Sequence, residues 1–479
     1  MPPKRKLFED VLIVDTGHKG MSIGKTQDGR VVMVEGVIPG DRVDASAGRK
    51  RKGMYQCKPE RFIEYSAHRV DPFCSHFGTC GGCKWQHMKY DAQLEFTEKS
   101  VLDALKRIAH IPDPPMQPII GCTEPIHYRN KMEYTFTDRR WLTEEELDGN
   151  VFDETPVAGS FDETPLLRNG LGLHVAGAFA HVVNITTCFL QPEPANAIRN
   201  FVRDFAIEHQ MSFQIVKYHK GFLRNLVLRN NSSGQFMVTL VFGEEDPGMR
   251  DKLLKAMTKK FDCISSLYFC INTKLNDSTF DLDFTLVAGS PYLPMQLGHI
   301  EYHLGPKSFF QTNSRQAETM CRVVQQMAGL SGNELVYDLY SGIGSFALYM
   351  AKDARQIVGI EEIREAVDDA KLNALHNQIS NVHFFAGDVR KLILLPEVHQ
   401  FGKPDVIITD PPRAGMEASV VESLLYLGAP KIVYVSCNPA TQARDIELLS
   451  SRYHLINAQP IDMFPQTAHV ENVALLIHG

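Results

Sequence analysis

A single cysteine stands in "YVSCNP", where Cys437 follows the apolar run "KIVYV" and precedes Asn-Pro. The carboxyl ends of strands in open α/β sheets face the substrate crevice, so this is the address of a nucleophile rather than of a packing thiol. A second candidate is "IITDPPRAG", in which a strand ends in Asp410 and two prolines fix the following loop. A third is "VYDLYSGIGSFAL": the strand carries Asp338 near its end, and Gly342-x-Gly344 follows at a helix start. Such glycines admit a cofactor close to the backbone, and the helix start offers free amides. Glu361 ends the next apolar run, 19 positions after Gly342, the spacing of an acid that binds ribose hydroxyls. Phe346 and Ala347 occupy the region where a dinucleotide fingerprint places its third glycine, which favours S-adenosylmethionine over NAD. Asp388, after "FFAG", is a further acid at a strand end, placed for the adenine side. Each of these acids could alternatively serve as a helix N-cap; their occurrence in order favours a cofactor crevice.

A different chemistry is offered by Cys74, Cys80 and Cys83, spaced C-x5-C-x2-C. Four thiolates suit either zinc or an iron–sulfur cluster, and zinc ribbons usually bring two C-x2-C knuckles where this chain has one.

The elements that must carry these residues change along the chain. Residues 8–66 alternate short β-rich runs with Gly turns, including a hairpin signal at "QDGR", as in a small five-stranded OB-type barrel. "DAQLEFTEKSVLDALKRIAHI" reads as an amphipathic helix. Strand-rich runs with intervening helices from about 117 to 300 predict an α+β domain. Beyond about 305, near-continuously apolar strands alternate with helices, the grammar of a doubly wound parallel sheet. The expectation is a multidomain α/β protein: a barrel over 1–67, a central α+β domain over 68–300 carrying the cysteine loop, and a Rossmann-like domain over 301–479.

With 479 residues, 44% of them hydrophobic and 22% charged, the composition is that of a globular protein of two or three domains. No apolar run approaches the ~20 residues of a membrane helix, and the N-terminus lacks a secretory h-region. A cytoplasmic location without a membrane partner is the default expectation, and in a reducing compartment the ten cysteines are expected to stay unpaired. The net charge of −7 argues mildly against nucleic acid, but "PKRK" at 3–6 and "RKRK" at 49–52 are basic clusters in the small N-terminal segment. A solvated loop explains either cluster equally well. "FDETP" occurs twice, at 152–156 and 161–165, in an acidic block with no assigned chemistry.

The run "SFFQTN", "DLYSGIGSF", "GIEE", "DPPRAG", "YVSCNP" and "HVENVALL" resembles the uracil-C5 RNA methyltransferase family, of RlmD/RumA type, over the whole chain. The resemblance implies an N-terminal TRAM domain, S-adenosylmethionine as cofactor, and methylation of uridine C5 through a covalent adduct of Cys437 with carbon 6. It implies Glu471 as the base that removes the C5 proton; on sequence alone Glu471 is a surface carboxylate before a last strand. It implies cofactor contacts from Gln311, Tyr340, Ser345, Glu361, Asp388 and Asp410, and a [4Fe–4S] cluster on Cys74, Cys80, Cys83 and Cys188. Ser341 and Ser345 stand where the bacterial form often carries Cys and Asn; both substitutions keep a small side chain. Ribosomal RNA, with 23S RNA first, is the expected substrate, presented single-stranded or with the uridine flipped out; no DNA partner is expected. Transfer RNA is the alternative substrate. Radical methylthiotransferase chemistry, which calls for C-x3-C-x2-C, and a non-enzymatic RNA-binding module are alternatives of other classes. The oligomeric state and target nucleotide are not encoded in these patterns.

Overall fold

The computed structural model describes residues 6–17, 20–51, 53–142, 146 and 168–479. Both "FDETP" copies, most of "PKRK" and Lys52 of "RKRK" lie outside them.

The N-terminal strands are β1 (Leu7–Thr16), β2 (Ser22–Lys25), β3 (Val31–Val34), β4 (Arg42–Arg51) and β5 (Met54–Glu64). They form a closed barrel in the order β1-β2-β3-β5-β4, with β2 and β3 paired as the turn at "QDGR" predicts. Closure leaves no free sheet edge. Alternate residues such as Val11, Ile13, Val32, Val34 and Val43 fill its interior. Lys6 lies over the Phe8 ring at 4.9 Å and Lys50 over Tyr55 at 5.4 Å.

The cysteine loop follows, then α1 (Tyr90–Arg107). Val101, Ala104 and Leu105 of α1 pack into one face of the C-terminal domain rather than onto the central sheet. The central sheet has seven strands, β6 (Lys131–Thr137), β7 (Gly170–Val175), β8 (Ala178–Asn184), β9 (Leu223–Asn230), β10 (Phe236–Phe242), β11 (Ile264–Ile271) and β12 (Thr285–Gly289), in the order β12-β11-β10-β9-β6-β7-β8. Helices α2 (Ala195–Glu208) and α3 (Pro247–Lys260) contribute Ile198, Val202, Leu253 and Leu254 to its core.

A two-stranded ribbon, β13 (Leu293–Leu297) and β14 (Ile300–Leu304), shares its core with the last domain, as does α4 (Ser314–Ala328). The last sheet runs β17-β16-β15-β18-β19-β21-β20, built from β15 (Leu335–Leu339), β16 (Gln356–Glu361), β17 (Val382–Ala386), β18 (Val406–Thr409), β19 (Lys431–Ser436), β20 (Tyr453–Ile461) and β21 (Glu471–His478). β15 to β19 pair in parallel; β21 is antiparallel to both β19 and β20. Six α-helices lie within this unit: α5 (Ser345–Met350), α6 (Arg364–His376), the single-turn α7 (Val389–Leu392) and α8 (Pro396–His399), α9 (Ala418–Leu427) and α10 (Pro439–Leu449). The order of this sheet reverses between β15 and β18, the place where open α/β sheets leave a ligand crevice. All the strand-end acids read from the sequence sit along the carboxyl ends of β15, β16, β17 and β18. No helix among the described residues is long and apolar enough to cross a membrane.

Candidate active site and thiol pocket

The Asn-Pro after Cys437 is a helix start. Asn438 caps α10 by accepting from the Ala440 amide at 3.2 Å, and Pro439 takes the first helical position, where a missing N–H costs nothing. Asn438 also donates through Nδ2 to the Arg413 carbonyl at 3.0 Å, and Thr441 Oγ1 donates to the same oxygen at 3.3 Å. Cys437 is thus held at a strand-to-helix corner, against the loop of "DPPRAG". That loop is anchored at its far side. The Asp445 carboxylate accepts from the Met416 amide at 2.8 Å and from the Tyr434 hydroxyl at 2.6 Å. Gly415, at φ +77°, passes where a Cβ would lie 2.7 Å from Asp445 Oδ2, so a side chain there would displace the anchor.

Glu471 is not the surface carboxylate of the local sequence. It is buried, and the antiparallel register that pairs Ser436 with Asn472 brings it beside Cys437. Gln442 fixes this junction by donating to the Tyr434 and Asn472 carbonyls while accepting from Asn472 Nδ2 at 2.7 Å. Asp410 completes the group. Although part of Asp410 remains accessible, the surrounding protein desolvates its carboxyl and pushes its pKa up to about 7. Burial, and then the Asp410 charge, push Glu471 well above the usual carboxylate range, with Arg413 opposing. Burial and the Glu471 and Asp410 carboxylates raise the Cys437 thiol to about 11, again with Arg413 opposing. Like charges crowded in a desolvated site cannot all ionise, so burial and mutual repulsion favour the protonated form of each group.

The acids and the glycine turn read from the sequence lie at the carboxyl ends of the same sheet. Tyr340 adopts φ +62°, a strained conformation for a bulky residue, immediately before the glycine turn. Asp338 accepts from the Ala347 amide at 3.0 Å with one oxygen, while its other oxygen and the Ser341 hydroxyl are buried without hydrogen-bond partners. Glu361 accepts from the Gly342 amide and the Ile363 amide, each at 2.9 Å, so it shapes the glycine turn and keeps lone pairs for a ligand. Asp388 caps α7 through the Arg390 amide at 3.0 Å, and both its oxygens accept from the Arg390 guanidinium. A ligand at Asp388 therefore shares the carboxylate with Arg390. Ser345 opens α5, and its carbonyl accepts from Tyr302 of the ribbon at 3.2 Å. Gln311 is half-buried; its carbonyl accepts from Asn130 Nδ2 at 2.9 Å. The orphaned Asp338 and Ser341 oxygens and the strained Tyr340 thus lie together at the carboxyl end of β15.

The four other cysteines line one cavity. Cys74, Cys80, Cys83 and Cys188 face it together with His76, Phe77 and Leu190, and none is in a disulfide. Burial and neighbouring thiols raise Cys80 to about 12 and Cys83 to about 11. Opposing this, the Gly82 amide donates to the Cys80 sulfur at 3.4 Å, Gln86 hydrogen-bonds Cys83, and the Arg129 and Arg199 charges favour the Cys188 thiolate. Among the described residues, the one set of three or more His, Cys, Asp or Glu donor atoms mutually within 4.8 Å lies elsewhere, at Glu301, His303 and His376.

The thiol loop reaches the active-site corner through the segment before Glu471. The Lys84 and Trp85 amides donate to the Gln466 carbonyl at 2.8 and 3.1 Å. Gln93 of α1 and Gln466 exchange side-chain and backbone hydrogen bonds at 3.0 Å each, both residues being buried. Sequence reasoning passed over both glutamines. Nothing local distinguishes a clamping glutamine from a solvated one.

A doubly wound domain with glycine turn and strand-end acids, preceded by a TRAM barrel, defines a class of RNA-modifying methyltransferases. Residues 233–478 match the family model described as tRNA (Uracil-5-)-methyltransferase, and residues 9–48 match the TRAM domain. The chain is 44% identical to an uncharacterized RNA methyltransferase of Bacteroides thetaiotaomicron, over 96% of this chain and 99% of that protein. It is 41% identical to one of Porphyromonas gingivalis, over 98% and 99% of the two chains. The crystal structure of the Pyrococcus abyssi tRNA (uracil-54, C5)-methyltransferase in complex with S-adenosyl-L-homocysteine is similar over 98% of this chain and 100% of that one, with TM-score 0.72 and 26% identity. The chain belongs to the tRNA (uracil-5-)-methyltransferase family.

Proposed function

We propose that this protein methylates carbon 5 of a uridine in ribosomal RNA, with S-adenosylmethionine as methyl donor. The observation that carries the proposal is the convergence of Cys437, Glu471 and Asp410 at one buried corner beside the glycine turn. When bound, S-adenosylmethionine supplies an electrophilic methyl group on a cationic sulfonium. Asp338, Tyr340, Ser341, Glu361 and Asp388 surround the crevice that would hold it, with Gln311 and Ser345 at its edge. A cation in this acid-lined crevice draws down the pKa values of the Cys437 thiol and of both carboxyls, which readies the corner for chemistry.

The thiolate of Cys437 adds to carbon 6 of the uracil, and the electron pair of the 5,6 double bond moves towards the C4 carbonyl as an enolate. Carbon 5 is then nucleophilic; its bond to the methyl group forms as the sulfonium–methyl bond breaks. Glu471, ionised at this stage, accepts the proton from carbon 5. The electrons left behind restore the double bond and expel Cys437 as thiolate. Asp410 faces the same space, and its rigid Pro411-Pro412 loop holds one wall of the base pocket. A duplex buries the 5,6 edge, so the uridine has to leave its stack.

The cysteine pocket fits a [4Fe–4S] cluster held by Cys74, Cys80, Cys83 and Cys188. Support comes from four free thiols on one cavity and from donors aimed at sulfur. Uracil methylation needs no electron, so the proposed role is to fix the loop that grips Gln466.

The similarity to an enzyme that acts on transfer RNA favours a second reading, in which the substrate is tRNA. Incubation of the protein with methyl-labelled cofactor and either ribosomal RNA or bulk tRNA, followed by nucleoside analysis, separates the two. Labelled 5-methyluridine in ribosomal RNA alone is the expected result; label in tRNA alone overturns the ribosomal assignment.

A further inference from the structure

Outside the crevice and the thiol pocket, one cluster of ligating side chains among the described residues is built on rigid elements. Glu301 and His303 alternate along β14 and so share a face; His376 is the last residue of α6. The two elements are stitched together by backbone-directed asparagines on either side of His376. Asn373 accepts from the His303 amide at 2.8 Å. Asn377 accepts from the Glu301 amide at 3.0 Å and donates to the Glu301 carbonyl at 2.7 Å. His303 is further held by the Tyr292 ring, stacked on it at 3.7 Å.

The result is a convergence of three donor atoms. Nε2 of His303 lies 3.2 Å, and Nε2 of His376 2.9 Å, from the same oxygen, Oε1 of Glu301. Those separations approach the edge of a tetrahedron of zinc ligands, about 3.3 Å for Zn–N near 2.0 Å. All three side chains retain solvent access, so an ion can enter and keep water in a fourth position. A carboxylate flanked by two imidazoles is the donor set of zinc and its first-row neighbours, not of magnesium or calcium.

The geometry points to a binding site for one divalent transition-metal ion of the zinc class, with Glu301, His303 and His376 as protein ligands. Its place gives it a consequence. Tyr302, between two of the ligands on the opposite face of β14, donates to the Ser345 carbonyl at the glycine turn. An ion here staples the ribbon to α6 and so braces the strand that supports the turn.

The test uses the full-length protein with its cysteine pocket loaded, so that thiols do not compete, titrated with Co²⁺ alone. One equivalent should bind and give visible ligand-field bands without thiolate charge transfer. His376→Ala and Glu301→Gln should each weaken binding by at least ~10-fold. Zn²⁺ should raise the thermal midpoint of the wild-type protein and not that of either variant. In the alternative, both imidazoles merely donate N–H to one carboxylate oxygen. Absence of a saturable band, or equal Co²⁺ affinity in all three proteins, overturns the proposal.

Discussion

The active-site corner and the thiol pocket both set cysteines in desolvated surroundings, and in both burial raises the thiol pKa. Their neighbours differ. Around Cys437 stand two carboxylates and one opposing arginine; around Cys80, Cys83 and Cys188 stand other thiols, amide and side-chain donors, and two arginines. The first site is short of positive charge and is completed by a transient cation with its substrate. The second has the means to keep several thiolates, and in the proposed reading a resident metal centre completes it. Burial alone specifies neither use. The sign of the surrounding charge, and whether a cation stays or leaves, separates a nucleophile from a ligand.

The largest expected effect comes from removing the one thiol with no substitute. Cys437→Ala should lower turnover by at least ~10⁴-fold while the affinity for S-adenosylmethionine changes less than about threefold, measured by single-turnover methylation and calorimetry. Residual methylation at a substantial rate would show that the two regions do not divide the chemistry as described.

Glu471→Gln keeps shape but cannot accept the C5 proton. Turnover should fall by about 10²–10⁴-fold, and a denaturing gel should show a protein–RNA adduct carrying the labelled methyl group. Normal turnover without adduct would assign the proton elsewhere.

On the pocket side, Cys80→Ser should strip iron from anaerobically purified protein, which should otherwise be brown with about four irons per chain. A colourless wild-type protein with one zinc would keep the ligand set and reject the cluster.

The link between the regions can be cut separately. Gln93→Leu leaves the Trp85 and Met88 carbonyls and the Gln466 amide without their buried partner and should cost about 2–3 kcal/mol in urea unfolding.

The effect smallest at any one pH step concerns titration. Burial raises Asp338 to about 8, against about 3.9 in an unfolded chain. Between those values the folded state binds more protons than the unfolded one, so this group's contribution to stability is fully present below about pH 4 and is lost as pH rises to about 8. Asp338→Asn should flatten the decline of ligand-free stability across that window by up to about 1 kcal/mol per pH unit. An unchanged slope would place the proton on another acid of the crevice.

Strands β15, β16, β18 and β19 were legible because runs of apolar residues end in the polar residues that a crevice needs. The barrel was legible from its turns. The ribbon β13–β14 was not: its residues alternate too briefly to separate from the preceding strands. The placement of α1 was equally hidden, since an amphipathic face states that it is buried but not against which core.

The sequence alone determined which residues stand at strand ends, because that depends on local pattern: Cys437, Asp410, Glu361 and the glycine turn were fixed by the order of apolar runs and breakers. Tertiary structure alone decided that Glu471 is buried beside Cys437, because an antiparallel register brings together residues that begin and end different strands. It also decided that Gln93 and Gln466, 373 positions apart, close one clamp, and that His376 meets a strand some 75 residues earlier. These are long-range contacts. Their partners are selected by the packing of whole elements, which leaves no mark on the spacing of neighbouring residues.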